Sequence, residues 1–207
     1  MVESHADDSL VLYTNPRSRG RTARWMLEET GAPYRTEVLD YGTTMKAPAY
    51  LAINPMGKVP ALVHGKRVVT ESAAICAYLA DAFPAAGLAP PPAERDRYYR
   101  WLFFFAGPVE SVMLNRMLGF EVPADRERSV GYGNFGDVMT AIEQALADSD
   151  YIAGDHFTAA DVYCGSHIGY GMQFGSIEKR PRLVAYWERL SSRSAHLKAN
   201  ELDGPFG

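Results

Sequence analysis

The sequence predicts an α/β domain followed by an all-helical domain, a fold class of α/β plus all-α. Short apolar runs alternate with helical patterns over the first part of the chain, a proline-rich stretch interrupts it, and only helical periodicity follows. With 207 residues, of which 47% are hydrophobic, the chain has material for two cores. The predicted bounds are 1–9 for a flexible lead-in, 10–84 for the first domain, 85–93 for a linker and 94–207 for the helical domain.

The first domain begins with a predicted strand–helix–strand unit. Leu10 to Thr14 is an apolar run of strand length, and Asn15-Pro16 breaks it. A helix follows over 17–30, with Gly31 as its stop, and a second strand covers 34–39. Two parallel strands joined by a helix in about thirty residues form a right-handed βαβ unit.

A hairpin and a helix complete this domain. The runs 60–63 and 67–70 flank a turn that contains Gly65, and a helical pattern follows up to Phe83-Pro84. With a short helix placed in 44–53, the order becomes β-α-β-α-β-β-α. This is the order of a thioredoxin-like domain, although order alone does not single that fold out.

The C-terminal half predicts a helical bundle domain. Helices are expected over 94–119 with a kink at Gly107-Pro108, over 135–146, from 158 onward and over 181–192. The capping-box spacing of Thr158 and Asp161 marks the start of the third of these helices. We assign that box a role in folding and not in binding.

Composition excludes several classes of function. The net charge of −4 argues against general nucleic-acid binding, and no apolar run approaches the roughly 20 residues of a membrane helix. The N-terminal residues have no secretory pattern, so the cytoplasm is the expected compartment. Cys76 and Cys164 lie far apart and are expected to be core thiols. The five histidines show no metal-ligand spacing, so no metal is expected.

Four arginines stand within eight residues at the start of the first helix: Arg17, Arg19, Arg21 and Arg24. One interpretation is a solvated helix start. The other is an anion-facing site or a surface for intersubunit salt bridges.

The most informative segments are 54–62 and 70–72. The first places Pro60 before a short apolar strand, and the second places Glu71 and Ser72 at the start of a helix. Such a layout suits a small peptide-like ligand held by its backbone and its charged end. These segments resemble the glutathione S-transferases, and the resemblance extends from about Leu10 to Leu197, weaker in the helical half.

The resemblance implies specific glutathione contacts. Pro60 matches the family's cis proline, and Val59 would hold the cysteinyl backbone; otherwise Val59-Pro60 is an ordinary trans bond that opens an edge strand. Glu71 and Ser72 match the pair that holds the γ-glutamyl end, where Glu71 would meet the ammonium and Ser72 the carboxylate. Plain capping of the helix is the alternative.

Two lysines are candidates for the glycyl carboxylate of glutathione. Lys58 lies next to Val59, and Lys46 is a weaker candidate of the same kind. Each is otherwise a solvated loop lysine.

The thiol of glutathione needs a hydrogen-bond donor that stabilises its thiolate. The stretch from Tyr13 to Ser18 resembles the serine-type, theta- and zeta-like transferases, which implies Ser18 as that donor. Tyr13 is the rival, because it lies where tyrosine-type transferases place their catalytic residue, and Ser18 would then only cap the first helix. Arg19 departs from the family pattern and would assist the thiolate or form a salt bridge.

The second substrate would bind to the helical domain. Aromatic, proline and methionine side chains there form an adaptable apolar surface, although a stripe at helical spacing also suits a core. The candidates for this pocket are Phe104, Phe105, Pro108, Met113 and Met117.

The resemblance implies a bacterial-like cytosolic glutathione transferase acting in detoxification, with glutathione as co-substrate and a small hydrophobic electrophile as acceptor. It also implies a homodimer, with neither nucleic acid nor membrane as a partner. Peroxidase, isomerase or ether-cleaving chemistry, and a non-catalytic module that binds glutathione or hydrophobic molecules, are the alternatives.

Overall fold

The computed structural model describes residues 9–205, so the predicted lead-in lies outside the described residues except for Ser9. The described chain divides into two compact units. The first contains 9–87 together with 193–205, and the second is Leu88–Ser192.

The first unit is built on a four-stranded sheet, and its thioredoxin-like order is confirmed. Strand β1 pairs in parallel with β2 and antiparallel with β3, which pairs antiparallel with β4, giving the order β2-β1-β3-β4. The elements are β1 (Leu10–Thr14), α1 (Gly20–Thr30), β2 (Tyr34–Val38), α2 (Pro48–Leu51), β3 (Ala61–His64), β4 (Arg67–Thr70) and α3 (Ser72–Ala82).

Apolar side chains of the strands and helices form the core of this unit. Leu12 on the central strand β1 is fully buried, as are Met26 on α1 and Ile75 and Leu79 on α3. α1 ends where the sequence predicts, because Gly31 adopts a left-handed φ of 67° that favours glycine.

The second unit is helical, as predicted. Its elements are α4 (Asp96–Phe104), a π-helical segment (Phe105–Val109), α5 (Glu110–Met117), α6 (Phe135–Ala145), α7 (Ala159–Phe174) and α8 (Pro181–Ser191). The sequence predicts a kink at Gly107-Pro108, and the π-helical segment lies there. Proline has no N–H to donate to the regular helical hydrogen bonds, so the helix departs from α geometry at Pro108. Within residues 9–205, every helix is too short or too polar to span a bilayer.

The predicted capping box at the start of α7 is confirmed. The Asp161 carboxylate accepts hydrogen bonds from the Thr158 N–H (2.9 Å), the Ile152 N–H (2.8 Å) and the Tyr186 hydroxyl (2.9 Å). Burial raises the pKa of Asp161 to about 6, against an ordinary value of 3.8. The carboxyl therefore joins the start of α7 to α8 and to the preceding loop.

The last helix differs from the sequence-based division. The sequence predicts no separate helix over the residues of α9 (Ser194–Asp203) and assigns them to the helical domain 94–207. In the structure it belongs to the first unit, where it packs against α1. Trp25 meets His196 edge to face at 4.7 Å, and Arg193 bonds both carboxylate oxygens of Glu29 at 2.7 Å.

The arginine cluster at the start of α1 divides in two. Arg17 and Arg19 are exposed, but Arg21 and Arg24 are buried. The Arg24 guanidinium bonds Asp203 on α9 at 2.7 Å. The hypothesis of a solvated helix start is therefore wrong for these two arginines, because their partners come from the far end of the chain.

Candidate functional site

The register of the sheet brings three segments to one edge. Tyr13 on β1 lies opposite Ala61 on β3, and Ala61 lies opposite Thr70 on β4. Since adjacent strands lie about 4.8 Å apart, this row is about 10 Å from β1 to β4, close to the length of a tripeptide. The candidate segments at Ser18, at Val59-Pro60 and at Glu71-Ser72 all leave or enter the sheet at this row.

The peptide bond between Val59 and Pro60 is cis. The loop before it is fixed from the side of α2, because the Tyr50 hydroxyl and the Asn54 amide donate to the Lys58 carbonyl at 2.6 and 2.7 Å. Val59 itself is half-buried and packs beside the Tyr50 cluster. The segment that precedes β3 therefore has a defined position.

The start of α3 has two features that suit an anionic ligand. The N–H groups of Ser72, Ala73 and Ala74 have no hydrogen-bond partner within residues 9–205, and the first helical bond runs from Ile75 N–H to the Glu71 carbonyl (2.9 Å). Free N–H groups and the helix dipole together favour a carboxylate at this point.

Glu71 adopts an unusual backbone conformation with φ 65° and ψ 122°. Among the described residues it is the one non-glycine residue with positive φ. Such a conformation costs on the order of 1–3 kcal/mol and occurs preferentially at ligand-binding positions. No local pattern in the sequence predicts this strain, since glutamate rarely adopts positive φ.

The two candidate thiol donors differ in their present bonding. The Ser18 hydroxyl donates to the Asn15 carbonyl at 2.6 Å and accepts from the Gly20 N–H at 2.9 Å, at the start of α1. The Tyr13 hydroxyl has no hydrogen-bond partner in the described part of the chain, and its ring lies 5.5 Å from that of Tyr50. Arg19 is exposed on the same loop.

The two candidate lysines also differ. Lys46 donates to the Met56 carbonyl at 2.9 Å and so supports the loop before β3. Lys58 is exposed, and its ammonium has no partner within residues 9–205. Lys58 therefore keeps all three of its ammonium donors for an incoming carboxylate, whereas Lys46 uses one on the Met56 carbonyl.

Gly20 is a residue that the sequence reasoning missed. A Cβ atom at this position would lie 1.8 Å from Thr14 Oγ1 and 3.0 Å from Ser18 Oγ. The close approach of α1 to the end of β1 therefore requires glycine, and this approach sets where the Ser18 loop begins.

Comparison with known proteins matches both halves of the chain. The family model described as glutathione S-transferase, N-terminal domain, matches residues 18–82, and the model for the C-terminal domain matches 135–194. Glutathione S-transferase 3 of Zea mays is 32% identical in an alignment that covers 91% of this chain and 92% of that protein. The chain belongs to the glutathione S-transferase family.

Solved structures of the family are similar over nearly the whole chain. A glutathione transferase from Methylococcus capsulatus str. Bath has a TM-score of 0.78 and 30% identity, covering 94% of this chain and 98% of that chain. A sphingomonad glutathione S-transferase, solved in complex with glutathione, has a TM-score of 0.76 and 28% identity with the same coverage.

The residues predicted for the acceptor pocket lie on α4 and after it, and they differ in exposure. Phe105 is fully buried against Trp101 and His167, so we reassign it from the pocket to the core. Phe104, Pro108 and Met113 are half-buried, and Met117 is 71% exposed.

The second unit also has a cavity of ≈ 330 Å³ that the sequence reasoning missed. It overlaps the end of the predicted segment, since Asn115 and Arg116 on α5 line it, and it extends to the start of α6. Arg116 stacks over the Phe135 ring at 4.2 Å, and Asn115 donates to the Tyr132 hydroxyl at 2.8 Å, all four side chains lining the cavity.

Proposed function

We propose that this protein is a glutathione transferase, which stabilises the thiolate of glutathione for attack on a small hydrophobic electrophile. The observation that supports this most is the row of Tyr13, Ala61 and Thr70, because it gathers the three candidate segments at one edge of the sheet. Membership of the glutathione S-transferase family supports the same ligand.

Each end of glutathione has a matching group in this proposal. The free N–H groups at the start of α3 and the Ser72 hydroxyl receive the γ-glutamyl carboxylate, and Glu71 pairs with the ammonium beside it. The backbone of Val59 pairs with the cysteinyl residue in the manner of a strand. Lys58 receives the glycyl carboxylate, and Lys46, which precedes α2, supports the loop of Lys58 through the Met56 carbonyl.

The chemistry is nucleophilic substitution, in which the sulfur of glutathione attacks an electrophilic carbon of the second substrate. The thiol loses its proton to solvent, and the thiolate accepts a hydrogen bond from Ser18, near the positive end of the α1 dipole and the Arg19 side chain. A sulfur lone pair forms the C–S bond, and the leaving group departs with the electron pair of the broken bond. Proximity and thiolate stabilisation supply the rate.

An ultraviolet difference titration of the full-length protein with glutathione across pH tests this proposal. We expect the thiolate absorbance to appear below the pKa of free glutathione, and S-methyl glutathione, which has no ionisable thiol, to give no such band. The same protein should then turn over an activated aryl halide. Binding without the thiolate band would indicate a non-catalytic glutathione-binding module, and the absence of binding would contradict the proposal.

A further inference from the structure

Arg21 is a charged side chain in the interior of the first unit, with an exposed fraction of 3%. Its Nε donates to the carbonyl of Pro16 at 2.6 Å, its Nη2 to the carbonyl of Gly204 at 2.5 Å, and its Nη1 to the Asn200 side chain at 3.4 Å. One guanidinium therefore joins the loop before α1 to the end of α9.

This arrangement uses a property that lysine lacks. A guanidinium has five N–H donors in a rigid planar fork, so one side chain bonds several acceptors in fixed directions. Burying a cation costs free energy that its hydrogen bonds must offset. A buried arginine with bonds to two separate segments therefore fixes the distance between them.

The loop that Arg21 holds is the one that contains Ser18. On one side of Ser18, the Asn15 amide donates to the Leu39 carbonyl at 2.8 Å, which ties the loop to the end of β2. The Pro16 carbonyl is tied to Arg21. The Ser18 hydroxyl bonds the carbonyl that lies between these two anchors, that of Asn15.

The other end of the bridge rests on a fixed helix. α9 is bound to α1 by the buried pair of Arg24 and Asp203, and by the contact of Trp25 with His196. Gly204 directly follows Asp203, so the carbonyl that Arg21 bonds lies one residue from a buried ion pair.

We propose that Arg21 is a positioning residue, which sets the place of the Ser18 hydroxyl by bridging its loop to the end of α9. The inference rests on the proposed function, in which Ser18 donates to the glutathione thiolate. The end of α9 thereby determines how well the first helix stabilises the thiolate, although α9 makes no contact with the thiol in this scheme.

The test compares Arg21→Met and Arg21→Lys with Lys198→Met in the full-length protein. Lys198 is a matched control, because it also links α9 to α1, through Glu28 at 2.7 Å, but lies on the exposed side. Three measurements are made: the pKa of the bound glutathione thiol, the steady-state kcat and KM, and the rate of amide hydrogen exchange over residues 16–20.

We expect Arg21→Met to raise the thiol pKa by about one unit, a tenfold loss of thiolate, and to lower kcat/KM about 100-fold. The KM for glutathione should change less than kcat, and exchange over 16–20 should become faster. Lys198→Met should change none of these. Arg21→Lys, which keeps the charge but not the fork, should resemble Arg21→Met and serves if the methionine variant does not fold.

An unchanged thiol pKa and unchanged exchange in both Arg21 variants would overturn the inference. If the wild-type protein does not lower the thiol pKa, the proposed function fails instead. The exchange rates over 16–20 then still decide whether Arg21 orders the loop.

Discussion

The Ser18 hydroxyl donates to the Asn15 carbonyl over 2.6 Å, so its hydrogen already has a partner within the protein. Rotation about the Cβ–Oγ bond would redirect that hydrogen to a thiolate. The exchange gives up a neutral hydrogen bond worth about 0.5–1.5 kcal/mol for a charge-assisted one worth about 1.5–3 kcal/mol. The bond to Asn15 is therefore compatible with the proposed donor role, and it holds the hydroxyl in a defined position.

This relationship predicts the outcome of two substitutions. Ser18→Ala should raise the pKa of the bound thiol and lower kcat/KM by roughly 100- to 1,000-fold, the usual cost of removing one donor from a developing or stabilised anion. Tyr13→Phe should change kcat/KM less than about threefold. The measurement is the thiolate titration with steady-state kinetics.

Thermal unfolding is the control, since Ser18→Ala also removes the acceptor of the Gly20 N–H at a cost of about 1 kcal/mol. A large loss in Tyr13→Phe with little change in Ser18→Ala would assign the role to the tyrosine.

Substitutions of Glu71 are expected to affect the stability of the protein and its binding of glutathione differently. Glu71→Gly should increase the free energy of unfolding by roughly 1 kcal/mol, because glycine adopts φ 65° without strain, and should weaken glutathione binding because the carboxylate is lost. Glu71→Gln keeps the strain and should weaken binding with no gain in stability. Urea unfolding and calorimetric titration measure the two quantities. Full affinity in Glu71→Gly would exclude a role for the carboxylate.

A side chain in place of Gly20 is expected to disturb the same site by steric overlap. Gly20→Ala should lower the free energy of unfolding by roughly 1–3 kcal/mol and raise the thiol pKa, because the new Cβ would overlap Thr14 Oγ1. Gly107→Ala is the control, since a Cβ there meets nothing within 4 Å. Adding Thr14→Ala to Gly20→Ala should restore part of the stability. No recovery in the double variant would show that another contact is responsible.

Asp161 predicts a pH dependence of stability. Its pKa is raised by burial to about 6, so the folded protein holds this proton more tightly than the unfolded chain does. Protonation of Asp161 therefore stabilises the folded state fully below pH 4, and this stabilisation is lost as the pH rises through 6. The stability of the wild type relative to Asp161→Asn should therefore fall by roughly 2–4 kcal/mol between pH 4 and pH 7. Urea unfolding at several pH values measures this difference, and a constant difference would contradict the assignment.

Local patterns were sufficient for most elements of the first unit. The alternation and length of Leu10–Thr14, the glycine in the hairpin turn and the stop at Gly31 each depend on neighbouring residues, so periodicity and turn chemistry identified them. Helix α9 is not predicted by periodicity because its buried positions, His196, Ala199 and Asp203, are mostly polar. A helix held by ion pairs gives no apolar stripe to detect.

The candidate site likewise has features that the sequence predicts and features that depend on the fold. Glu71-Ser72 and Val59-Pro60 are adjacent residues, and their likeness to a family was visible in the sequence. Their meeting at one row of the sheet depends on strand register, and the burial of Arg21 depends on residues far along the chain. Neither follows from spacing alone.

Because the first unit is built from two separate parts of the chain, it can be completed only late in synthesis. At about 5–20 residues per second, α9 leaves the ribosome roughly 5–20 seconds after α3, once all of Leu88–Ser192 has been made. During that interval the guanidiniums of Arg21 and Arg24 lack their partners on α9 and remain hydrated. The contiguous second unit can therefore fold before the first unit is complete, and the bridge from the Ser18 loop to the end of α9 can form only afterwards.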